Sequence, residues 1–108
     1  MPDIKLDWNR IGTDLVALAG NIFPKRAQKL ATDGKAFLKL IEQRAIKYHL
    51  QFAAGRIKKD ELDDLMLDLK ALIKLEKYKQ VGLTQVAIDQ FVNGAINILL
   101  DAAIAAIP

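Results

Sequence analysis

The amino-acid sequence predicts an all-α fold: four helices in an up-down antiparallel bundle, or two paired helical hairpins, with one long second helix. Three observations predict it. Apolar residues recur at steps of three and four along the chain, and no run alternates with the period of two that a half-buried strand requires. Pro24, Gly55 and Gly82 stand where those patterns stop, as helix breakers do. The composition is 52% hydrophobic but only 6% aromatic, an aliphatic palette of Leu, Ile, Val and Ala that suits packed helices. A chain of 108 residues makes one domain around one core, with little surplus.

The first helix is expected over residues 8–22. Asp7 and Asn9 are both good cap residues. Trp8, Ile11, Leu15, Leu18 and Ile22 follow a 3-4-3-4 spacing that makes one apolar stripe. Pro24 disfavours helical geometry at Phe23 and suits the first position of the next helix.

That second helix is expected over 24–54, about 45 Å long at 1.5 Å per residue. Ala27, Leu30, Ala31, Gly34, Phe37, Leu38, Ile41, Ala45, Tyr48, His49 and Phe52 share one face. Lys25, Arg26, Lys29, Lys39, Arg44 and Lys47 share the other. Gly34 sits in mid-stripe, where glycine costs roughly 1 kcal/mol against alanine. Close approach of another helix is the expected reason. Leu40, Ile46 and Leu50 lie off the main stripe, and Gly55 suits the residue just past the helix end.

The third helix is expected over 60–80. Asp60 is the expected cap, and acids in the first turn suit the positive end of the helix dipole. Leu62, Leu65, Met66, Leu69, Leu72 and Ile73 form its main apolar face. Leu67, Ala71, Leu75 and Tyr78 form a second stripe on the other side, which reads as a contact surface. Gly82 ends this segment, and Thr84 caps a fourth helix expected over 84–107.

Charge is arranged in blocks. From Lys25 to Lys59 there are ten bases against two acids, a net of +8. From Asp60 to Asp68 there are five acids and no base. Val81 to Pro108 holds no Lys or Arg at all. It does hold Asp89, Asn93, Asn97 and Asp101, a ladder at four-residue steps that makes one narrow polar stripe. Almost everything around the stripe is apolar, so neighbours must wrap this helix. Three wrappings are open: the chain's own core, a second copy paired through Asn93 and Asn97, or lipid. Two aspartates and the lack of Lys or Arg on its C-terminal side disfavour a lone membrane span.

The residue inventory narrows the chemistry. There is no Cys and no Ser, and His49 is the one histidine. A serine or cysteine nucleophile with a histidine base is therefore excluded within one chain, and a zinc site of the usual ligand set is not expected. His49, beside Tyr48 and Phe52, reads as a packed boundary residue. The acids from Asp60 to Asp68 lack the central glycine and terminal glutamate of a calcium loop. No glycine spacing suits a phosphate loop. No catalytic residue, metal or cofactor is expected.

The basic stretch lacks base-reading and stacking residues, which disfavours nucleic acid and leaves an acidic partner or an anionic membrane surface. Met1-Pro2-Asp3 is unlike the basic, apolar opening of a signal peptide, so a cytoplasmic location is expected. The expectation is thus a non-enzymatic structural or adaptor subunit that works through helix–helix contacts, as a homo-oligomer or with an obligate protein partner. The alternative is a membrane-associated or pore-type helical protein.

Overall fold

The structure, a computed structural model, describes residues 6–70 and 75–106. Its helices are α1 (Trp8–Ile22), α2 (Ala27–Ala53), α3 (Lys59–Lys70) and α4 (Gln85–Ala106). Short 3-10 segments occupy Pro24–Arg26 and Glu76–Val81. The fold is all-α, as expected. Together with the 3-10 turn before it, α2 makes the long second element. α1 runs along α2, α4 packs on both, and α3 packs on α2. At 1.5 Å per residue α2 is about 40 Å long, which sets the 42 Å long dimension of the molecule.

Local signals account for most element ends. Asp7 caps α1, its Oδ1 accepting from the Arg10 N–H at 3.2 Å. Phe23 leaves helical geometry (φ −144°, ψ 75°), and Pro24 follows at the first position of the 3-10 turn. At the end of α2, Gly55 takes φ +73°, the Arg56 N–H donates to the Gln51 carbonyl and the Gly55 N–H to the Phe52 carbonyl. That pair of bonds is a Schellman closure, and it needs the left-handed residue. Thr84 caps α4, its Oγ1 accepting from the Ala87 N–H at 3.1 Å.

Two expectations about the third helix are corrected. α3 begins at Lys59, so Asp60 lies inside its first turn instead of capping it. The position before the helix is Lys58, whose N–H points to Glu61 Oε1 at 3.5 Å. Nor do residues 60–80 form one helix. The described part of α3 is Lys59–Lys70, Leu75 has non-helical backbone, and a 3-10 segment follows. Residues 71–74, with Ala71, Leu72 and Ile73, lie outside the described residues. The reason for the break is burial. On a straight helix Leu75 and Tyr78 would share a stripe with Leu67, which is 60% exposed. In the fold Leu75 and Tyr78 are 1% and 2% exposed. Non-helical backbone at Leu75 and the 3-10 segment after it place these two side chains in the core.

The core is formed by Ile11, Leu15 and Ala19 of α1, Leu30, Leu38, Ile41 and Ala45 of α2, Leu62, Met66 and Leu69 of α3, and the inner side of α4. Ile88, Phe91, Val92, Ala95, Ile96, Leu99 and Ala103 of α4 are all buried, and Ile98 is half-buried. The wrapping that α4 requires comes from its own chain. At the tightest point a Cβ on Gly34 would lie 2.8 Å from Cζ of Phe91, so the aromatic ring occupies the space a side chain would need. This is the close approach expected at Gly34.

Gly34→Ala should therefore destabilise. Overpacking a buried ring costs about 1–3 kcal/mol, against roughly 1 kcal/mol gained in helix propensity. The expected outcome is a net loss on the order of 1 kcal/mol in urea unfolding, recovered when Phe91→Leu is added. A more stable single variant would show that α2 and α4 separate readily.

Candidate functional site

The α4 ladder is where the spacing puts it. Asp89, Asn93, Asn97 and Asp101 are all exposed and line the outer side of the helix. Gln85 Nε2 donates to Asp89 Oδ1 at 2.9 Å, one turn along the same stripe. The ladder thus keeps a strip of water-facing polar groups opposite the buried face. α4 is long and apolar enough over Gln85–Ala103 to cross a membrane by length and composition, but its apolar face is turned into the bundle.

The proposed stripe of Leu67, Ala71, Leu75 and Tyr78 is not one surface. Leu67 is exposed on α3, Leu75 and Tyr78 are buried, and Ala71 lies outside the described residues. By contrast all six residues of the basic face, Lys25, Arg26, Lys29, Lys39, Arg44 and Lys47, are exposed. Lys39 Nζ lies 5.2 Å from the Trp8 ring centroid, a cation–π contact between α2 and α1. The acids Asp60, Glu61, Asp63, Asp64 and Asp68 of α3 are exposed as well.

These two charged faces sit on helices that pack together, yet they do not neutralise each other. Among the described residues the ion pairs within 4.0 Å are Lys59–Asp63, inside α3, and Lys77–Asp33. None joins an α2 base to an α3 acid. Each face also carries a large exposed apolar side chain, Leu40 on α2 (67% exposed) and Leu67 on α3. Single exposed leucines are ordinary on protein surfaces; here each stands one turn from like-signed charges, Leu40 before Arg44 and Leu67 after Asp63 and Asp64.

A second grouping was not visible in the sequence. The Tyr78 hydroxyl donates to Asp33 Oδ2 at 2.5 Å, and Lys77 Nζ reaches the same oxygen at 3.0 Å. Phe23 meets the Tyr78 ring edge-on at 6.4 Å between centroids. Tyr78 therefore ties the segment before α4 to the α1–α2 corner and to α2. Arg26, Lys29, Lys77, Tyr78 and Val81 line a small open cleft beside this contact, of about 110 Å³. One clue was available, since Asp33 is one of two acids in the basic block; its partner lies 45 residues away.

The electrostatics follow from this packing. Partial burial pushes the Asp33 carboxyl up, but the Tyr78 hydrogen bond, the hydrogen bond and charge of Lys77 and the charge of Lys29 outweigh it, so it lies below the usual 3.8. Burial first, then the hydrogen bond and charge of Asp33, push the Tyr78 hydroxyl well above its ordinary 10.0. Burial, with the nearby Lys59 charge, lowers half-buried His49 below the usual 6.5. Among the described residues no three His, Asp or Glu side chains converge as metal ligands do.

No family model, no curated protein and no solved structure matches this chain.

A stability test reads the Tyr78–Asp33 contact. The raised hydroxyl contributes stability that is fully present below pH 10 and lost as pH rises, because the unfolded tyrosine ionises first. The lowered carboxyl contributes stability present above pH 3.8 and lost as pH falls below it. Tyr78→Phe should cost about 1 kcal/mol at pH 7 and flatten the alkaline arm of the stability curve. A steep fall above pH 10 that persists in the variant would assign the arm to other groups.

Proposed function

We propose that this protein is a non-enzymatic helical structural or adaptor subunit that associates with a second copy of itself through helix–helix contact. The carrying observation is the pair of complementary, mutually unneutralised faces: exposed bases with Leu40 on α2, and exposed acids with Leu67 on α3. Their spacing matches. Leu40, Arg44 and Lys47 span seven residue steps, as do Asp60, Asp63, Asp64 and Leu67, about 10.5 Å on either helix.

Antiparallel docking of α2 on the α3 of another copy sets leucine against leucine and base against acid. The leucines then form a small dry centre and the charges a polar rim that steers encounter and register. Each copy carries both halves. Contact is reciprocal in a two-fold dimer, or it propagates head to tail.

Light scattering tests this. Between about 0.02 M and about 0.5 M salt the screening length falls from roughly 20 Å to roughly 4 Å, and the particle mass should fall toward that of the monomer. Two double variants sharpen the test. Arg44→Glu with Lys47→Glu, and Asp63→Lys with Asp64→Lys, should each be monomeric alone. An equimolar mixture should recover the oligomer, because every reversed face then meets its complement. A monomer at all salt concentrations, or no recovery on mixing, would sink the proposal.

The exposed cations of α2 also favour a second reading, attachment to an anionic membrane surface with α4 still packed inside the bundle. That reading predicts salt-sensitive co-sedimentation with anionic vesicles, and its absence at low salt removes it.

A further inference from the structure

A different part of the surface carries an inference beyond self-association. The cleft beside Tyr78 gathers cations from two elements distant in sequence: Arg26 and Lys29 at the start of α2, and Lys77 on the 3-10 segment before α4. Asp33 is the adjacent acid and is already engaged by Tyr78 and Lys77. Three positive groups against one negative group leave a net of +2 around a cleft of about 110 Å³. Liquid water takes about 30 Å³ per molecule, so the space suits one tetrahedral oxyanion and a little water.

The start of α2 adds to this imbalance. Arg26 stands at its cap position with no side-chain hydrogen bond to the helix, and no acid occupies the first turn. Helix starts ordinarily favour acids, because unpaired N–H groups make that end positive. Here the sequence places Lys25, Arg26 and Lys29 there instead, which is unfavourable for the helix alone. An anion in the cleft relieves both the clustered cations and the helix end. The Tyr78 hydroxyl, spent on Asp33, holds the 3-10 segment in place and so fixes Lys77 against α2.

We infer that the cleft formed by Arg26, Lys29 and Lys77 binds a phosphate dianion, as the terminal group of a soluble phosphomonoester or of a phosphomonoester lipid headgroup. Guanidinium and ammonium donors are the side chains that recognise phosphate oxygens. The residues used are separate from Arg44, Lys47, Asp63 and Asp64, so this site and the self-association surface stand or fall independently.

Inorganic phosphate is the first probe, titrated into the full chain against sodium chloride of matched ionic strength and followed by amide chemical shifts. The expected result is saturable binding, with a dissociation constant on the order of 1 mM or tighter and shifts centred on Arg26, Lys29, Lys77 and Tyr78. Lys29→Gln and Lys77→Gln should each weaken it about tenfold, the order expected for losing one charge-assisted hydrogen bond. Lys35→Gln, on the same helix but outside the cleft, should leave it unchanged.

Vesicles of phosphatidylcholine with phosphatidic acid distinguish the sources. Binding that free phosphate displaces assigns the headgroup to the cleft; saturable phosphate binding without vesicle binding assigns a soluble ligand. Shifts that never saturate, that chloride reproduces, or that survive in a folded Lys29→Gln, Lys77→Gln double variant overturn the inference.

Discussion

The contact between Phe91 and Gly34 organises this molecule. α4 has too much apolar circumference to be wetted, so it needs neighbours on most sides. The long helix α2 accepts it by carrying no side chain where the Phe91 ring lands. Once α4 is seated there, Ile88, Val92, Ala95, Ile96, Leu99 and Ala103 are buried along the same line. α1 closes the other flank, with Leu18 against Gly94, where an added Cβ would again fall 2.8 Å from a side-chain atom. The polar ladder is left facing water as a consequence of that seating.

Completing the core within one chain changes what the surface can mean. The inner face of the greasiest helix, from Ile88 to Ala103, is covered within the chain. What remains outside is chiefly charge, sorted by helix: bases on α2, acids on α3, amides and two aspartates on α4. Isolated surface ion pairs contribute little to stability. Sorted faces that do not pair with each other contribute instead to encounter and choice of partner, which is why the proposed role rests on them.

The segment between α3 and α4 shows where local pattern misleads. Leu67, Ala71, Leu75 and Tyr78 keep helical spacing, and from spacing alone they make a stripe. Yet Leu75 and Tyr78 belong to the core, and the Tyr78 hydroxyl has a half-buried carboxylate to meet on α2. Burying a tyrosine with its polar tip satisfied outweighs keeping one straight helix to residue 80, so the backbone is non-helical at Leu75 and 3-10 after it. Gly82, at φ +105°, then lets the Leu83 N–H close on the Tyr78 carbonyl before Thr84 starts α4. The same 3-10 segment brings Lys77 to Arg26 and Lys29 and makes the cleft.

By itself the sequence determined whatever depends on neighbours within a turn or two: the helical class, the caps at Asp7 and Thr84, the breaks at Phe23–Pro24, Gly55 and Gly82, and the exposed faces of α2 and α4. Periodicity and capping are short-range, so they are written locally. Only the tertiary structure decided the non-helical backbone at Leu75, the burial of Leu75 and Tyr78, and the meeting of Asp33 with Tyr78 and Lys77. Those depend on which surfaces meet when helices pack, and on polar groups satisfied by partners far away in the chain. No local spacing encodes a contact made across 45 residues.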